Sequence, residues 1–197
     1  MTTARSFTSK TLGRFAFLLG AVLVLVSVLT GIEVVCRNFF GFSLEGVDEI
    51  SAYALAGVSA WGFVYALLTR SHIRIDSLIQ FAGGRLRAWL DIMAYTSLLI
   101  VAIVLAYYAW GVLGFSIEHL SRSQTPLQVY LWIPQSIWVA GLLVFVLAAA
   151  VLLVRACHLL LRGRYQAVTD LLNVSEIQQE MEIIQDRAVR GDAGDLR

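Results

Sequence analysis

Charge is scarce in this 197-residue sequence: Asp, Glu, Lys and Arg together make up 15% of it, against about a quarter in ordinary soluble domains. Apolar residues account for 58%, so the chain has too little polar surface to cover itself in water. With 15 Lys and Arg against 14 Asp and Glu, a net charge of +1 and no basic run, it lacks a nucleic-acid footprint. Cysteine is almost missing. Cys36 and Cys157 fall far apart in the chain, near opposite membrane faces on the topology below, so no disulfide framework is expected and the redox compartment stays open. There is no Gly-rich phosphate loop, nucleophile motif or metal-ligand cluster either, so nothing points to an enzyme, a cofactor or a metal.

What the chain does have is four long apolar segments: Phe15–Cys36, Ile50–Leu68, Leu90–Phe115 and Tyr130–Leu161. About 20 residues at a helical rise of about 1.5 Å cover a hydrocarbon core of about 30 Å, so each meets or nearly meets the length of a span. The segments are continuously apolar, not alternating, and an open sheet would leave backbone groups unpaired in lipid, so helices are expected over barrel strands. The fold class that follows is an all-α integral membrane protein. It divides into an N-terminus at 1–14, a four-helix transmembrane domain at 15–161 and a tail at 162–197. Although Arg5, Lys10 and Arg14 precede the first segment as in a secretory signal, its apolar run is too long for a signal core and no small-x-small cleavage site follows. It reads as a retained span.

Orientation follows from the basic residues, which are kept near the cytoplasmic ends of spans. Arg5, Lys10 and Arg14, then Arg70, Arg74, Arg85 and Arg87, then Arg155, Arg162 and Arg164 gather on one side; the other two connections hold only Arg37 and Arg122. Those connections instead carry Glu45, Asp48, Glu49 and Glu118. Both termini are therefore expected in the cytoplasm. Trp89 marks the inner end of the third span, while Tyr107, Tyr108 and Trp110, with Tyr130 and Trp132, mark outer ends, as interfacial aromatics do. Between the second and third spans, Asp76 or Ser77 can cap a short interfacial helix bearing Leu78, Ile79 and Ala82, which Gly83-Gly84 stops. In the tail, Ser175-x-x-Gln178 makes a capping box ahead of an amphipathic helix through Val174, Ile177, Met181, Ile184 and Ala188.

A carrier working alone would place ionisable residues or interrupted helices near the membrane centre. This chain does neither. Glu33 and Arg37 close the first span, four apart and able to pair; Asp48 and Glu49 open the second and Asp91 the third, where they suit helix N-termini. His72, His119 and His158 lie in an inner loop, an outer loop and near an inner helix end, not facing one another as haem ligation needs. The second span offers a protein-binding surface in Ala52, Ala56 and Ala60, four apart, with Gly57 and Ser59 alongside. Small residues at that spacing let helices approach closely, within this chain or against a second subunit.

Three further stretches carry a family resemblance: Asp48-Glu49 opening the second span, His72-Ile73-Arg74-Ile75-Asp76 after it, and Trp132-Ile133-Pro134-Gln135 opening the fourth, where a first helical turn tolerates proline. Over roughly residues 12–160 the chain resembles the small membrane subunit of tripartite ATP-independent periplasmic (TRAP) transporters, a family of the bacterial inner membrane. It departs in having Val139 where a proline often precedes the glycine matching Gly141, and in a longer tail. The resemblance implies two partners: a large membrane subunit that carries the sodium and substrate sites, and a periplasmic substrate-binding protein that delivers an organic acid. It implies that the small subunit braces the large one, set among membrane lipids, and offers Glu45, Asp48, Glu49, Glu118 or His119 to the delivery protein. Two rivals are a membrane redox or quinone subunit, which would be coloured when purified, and a free-standing four-helix membrane protein, which would work without partners.

Overall fold

In the computed structural model, which describes residues 2–69 and 84–172, almost every described residue outside the connections is helical. The helices are α1 (Thr2–Val35), α2 (Val47–Leu68), α3 (Gly84–Glu118), α4 (Trp132–Leu161) and α5 (Tyr165–Leu172). Four stretches, Leu12–Phe40, Val47–Leu68, Gly84–Glu118 and Trp132–Leu161, are long and apolar enough to cross a membrane. Helix is the only conformation that satisfies every backbone N–H and C=O of such a segment without a neighbour. The helices overrun the apolar runs at several ends, because hydrocarbon thickness limits the apolar stretch but not the helix.

Two features of the ends were not expected. The first span closes in a π-helical turn, Cys36–Phe40, which ends at Gly41 with φ 69°. Tyr130 does not open α4: it pairs as an isolated antiparallel bridge with Arg122, and Trp132 is the first helical residue. Pro134 falls in the first turn of α4, where its missing N–H has no intrahelical acceptor to lose. At the start of α2, Gly46 holds φ 92° and packs so closely on Leu127 that a Cβ would overlap the leucine side chain, so both conformation and space demand glycine. Asp48 and Glu49 occupy the first turn of α2, at the positive end of the helix dipole.

The chain divides into two compact units. In the first, 1–69 with 98–149, small and aliphatic side chains of three helices form the core: Ala60 of α2, Ala106, Ala109 and Leu113 of α3, and Val139 and Leu142 of α4. Alanines at helix contacts bring the backbones close, which is how packing stabilises helices where lipid is as apolar as the side chains. Helix α1 joins through α2: the hydroxyls of Thr30 and Ser51 lie 3.1 Å apart, and the rings of Phe15 and Trp61 meet edge-on at 6.0 Å. The second unit, 70–97 with 150–197, buries Ala88, Ile92 and Tyr95 of α3 and Ala156, Val168 and Leu172. Tyr95 donates its hydroxyl to the carbonyl of Leu172 at 3.0 Å, tying α5 to α3. The expected helices around residues 76–83 and 174–188 lie outside the described residues.

Candidate functional site

The polar chemistry of the first unit collects at the end where α1 stops, α2 starts, α3 stops and α4 starts. Two carboxylates are buried there, Glu33 at 5% exposure and Glu49 at 7%. A buried charge is tolerated only with donors around it. Glu33 has them from the α1–α2 connection: Ser43 donates its hydroxyl to Oε1 at 2.5 Å and the N–H of Leu44 bonds Oε2 at 2.6 Å. The expected Glu33–Arg37 pairing holds only at a distance: Arg37 lies exposed in the π-helical turn and its charge acts on Glu33 through space, but the two make no close ion pair among the described residues, and the hydrogen bonds from Ser43 and Leu44 are the carboxylate's direct partners.

Glu49 takes its donors from two directions. Tyr53, one turn along α2, donates its hydroxyl to Oε1, and Thr125, in the connection between α3 and α4, donates to Oε2. The loop supplying Thr125 is a short paired structure. Ser123 N–H bonds the carbonyl of Val129 at 2.9 Å, Leu131 N–H bonds that of Ser121 at 3.0 Å, and the Arg122 guanidinium sits 4.3 Å from the centre of the Tyr130 ring while also donating to its hydroxyl. Leu120, at φ 47°, turns the chain out of α3, a left-handed conformation that costs a non-glycine residue about 1 kcal/mol and lets Ser121 N–H reach the Ser116 carbonyl at 3.1 Å. The first acidic residue of α2 is exposed and the second is a buried anchor for the opposite loop, a division the Asp48-Glu49 pair alone did not reveal.

The remaining expected positions scatter. Glu45, Glu118 and His119 are exposed, and the His119 ring stacks on Phe115 at 4.1 Å with Nδ1 3.0 Å from the Phe115 carbonyl. Trp132 is exposed and Pro134 half-buried. His72, Arg74 and Asp76 lie outside the described residues. The small-residue stripe of α2 splits: Ala60 is buried and Gly57 faces Ile137 at 3.7 Å, both toward α4, while Ala52, Ala56 and Ser59 are exposed. A Cβ built on Gly141 of α4 would stand 2.9 Å from the Ala60 Cβ and 3.2 Å from both the Ala60 carbonyl carbon and Trp61 Cδ1, while Trp61 Nε1 donates to the Ile137 carbonyl at 3.2 Å. Sequence reasoning placed small residues on α2 but not their partner on α4, because Gly141 becomes informative only once the two helices are known to cross there.

Glu33 and Glu49 are thus spent on holding connections to helix ends; Asp91, expected at the start of the third span, instead lies fully buried seven residues inside α3 in the second unit, and among the described residues no group of three or more His, Cys, Asp or Glu could hold a metal ion. Residues 25–159, more than half the chain, match the family described as tripartite ATP-independent periplasmic transporters, DctQ component. The chain belongs to the DctQ family. No curated protein and no solved structure matches it. That family supplies the small membrane permease subunit of TRAP transporters, and is a family of transport components. The match ends at residue 159, so it takes in all of α2 and α3 and almost all of α4 but stops short of α5.

Proposed function

We propose that this DctQ chain is the static brace of its transporter, with both termini in the cytoplasm of the bacterium and the connections at 41–46 and 119–131 in the periplasm. It binds the stationary part of the large membrane subunit, which carries sodium and an organic acid across, and the acid arrives on a periplasmic binding protein. The observation that carries this reading is the use made of Glu33 and Glu49: both carboxylates at the end where the connections meet are already engaged by donors of their own chain, so neither is set to bind and release an ion or an acid. Surfaces that remain uncovered suit a partner or lipid. Helix α1 is exposed over Phe17, Leu18, Val24, Leu25 and Val28, and Ala52, Ala56 and Ser59 of α2 leave room for another helix to approach.

The periplasmic face offers exposed Glu45, Asp48, Glu118 and His119 for docking of the delivery protein. A tag on the tail should recover a much larger hydrophobic chain from native membranes; recovery of this chain alone would refute the brace. Reversing charge at both Glu45 and Glu118 should weaken docking and slow uptake while leaving that co-purification intact. Unchanged uptake and docking would remove these residues from the interface.

A further inference from the structure

The second unit concentrates positive charge where α3 begins and α4 hands over to α5. Helix α4 ends in a Schellman turn: Gly163, at φ 70°, donates its N–H to the Leu160 carbonyl at 2.9 Å, and Arg164 N–H reaches the Leu159 carbonyl at 3.1 Å. Helix α5 then starts at once, with the Arg164 carbonyl accepting from Val168 N–H at 3.2 Å. This turn and the start of α3 together line an open cavity of about 620 Å³, walled by Gly84, Arg85, Gly163, Arg164, Tyr165 and Gln166.

Arg85 is held there by Tyr165, its guanidinium carbon 5.2 Å from the ring centre, and Arg164 is exposed. Neither makes an ion pair among the described residues. Helix α5, which starts directly after Arg164, has no acidic residue in its first turn, so no carboxylate there offsets the cations beside its positive end. Arg87, two residues along α3, has its Nε buried without a described acceptor. Arg85 and Arg164 thus line the cavity with positive charge that no ion pair among the described residues offsets, which an anion would complement. Trp89, four residues after Arg85 and so on the same face of α3, is 55% exposed, as are the larger part of Leu86 and nearly all of Leu161. An anion at the arginines would therefore have exposed apolar and indole surface at hand, which fits an amphiphile better than a free ion.

We propose that this cavity binds the phosphate of an anionic phospholipid headgroup, with Arg85 and Arg164 as its charged contacts. The leaflet is the cytoplasmic one if the orientation proposed above holds, but headgroup binding itself does not depend on orientation, so the two can fail separately. Lipid seated there would clamp α3 near Arg85, which the family match covers, and the turn after α4, which lies beyond its end at residue 159, to the membrane surface.

Native mass spectrometry of the full chain in detergent, titrated with phosphatidylglycerol, tests this. The wild type should take one lipid tightly and phosphatidylcholine far more weakly. Arg85→Gln with Arg164→Gln should weaken phosphatidylglycerol about twenty-five-fold, two charges worth about fivefold each. Arg85→Lys with Arg164→Lys should keep most of the affinity, which separates lost charge from lost folding. Arg155→Gln with Arg162→Gln, the same charge removed outside the cavity, should change little. Equal loss from both glutamine pairs, no loss from the cavity pair, or equal binding of phosphatidylcholine would overturn the proposal. Displacement of the lipid by a millimolar excess of inorganic phosphate would overturn it too, in favour of a free-anion site.

Discussion

Replacing Gly141 by alanine sets helix propensity against packing. In an unhindered helix, Gly→Ala stabilises by about 1 kcal/mol. At Gly141 the new methyl would meet the Ala60 Cβ at 2.9 Å and the Ala60 carbonyl carbon at 3.2 Å, inside the optimum carbon separation of about 3.5–4.0 Å. The second contact is to backbone, which cannot swing aside, so α2 and α4 must part. Overpacking of this kind costs about 1–3 kcal/mol, so the two effects should leave Gly141→Ala about 1 kcal/mol less stable than wild type. Gly111→Ala on α3, where nothing lies within 4 Å, keeps only the favourable term and should stabilise. Denaturant unfolding in mixed micelles, followed by circular dichroism, reads both, and the difference between them should be about 1–3 kcal/mol whatever the host's propensity scale. Ala60→Gly in the Gly141→Ala background should recover part of the loss, since it removes the 2.9 Å contact but not those at 3.2 Å. If Gly141→Ala stabilises as much as Gly111→Ala does, the close crossing of α2 and α4 is refuted.

Glu33→Ala leaves the Ser43 hydroxyl and Leu44 N–H without their acceptor and should cost about 1–3 kcal/mol by the same unfolding assay, whereas Arg37→Ala should fall within about 0.5 kcal/mol of wild type; equal losses would restore the ion pair. Glu49→Gln removes the charge that holds Thr125, so amide exchange across residues 121–131 should quicken while exchange in the middle of α2 stays slow, and protection that does not change would show the loop is held by other contacts. A reporter active only outside the cytoplasm, fused after Arg164, should stay silent, and activity there would reverse the orientation.

The spans were legible because a bilayer imposes one period-free requirement, about 20 apolar residues, that a reader can see without tertiary knowledge. What lay beyond the spans was not. The π-helical turn at Cys36–Phe40 has the same composition as an α-helical end, and the Glu33–Arg37 pairing that spacing alone suggested holds only at a distance. Asp48 and Glu49 read alike as helix-start acids; only the approach of Thr125, 76 residues away, makes the second a buried anchor. Tyr130 looked like the start of a helix because it is aromatic and next to apolar residues, yet backbone pairing with Arg122 claims it. Helix α5 was missed because eight residues carry too short a pattern, and its reason for existing, burial of Val168 and Leu172 in the second unit, is tertiary.

The central claim is that this chain supports solute movement without carrying the solute. Reconstitution in vesicles under a sodium gradient, with a panel of labelled organic acids and the binding protein present, tests it most directly. Vesicles holding this chain alone should accumulate nothing, and those holding it with the large membrane subunit should concentrate an acid. Accumulation by this chain alone would contradict the account.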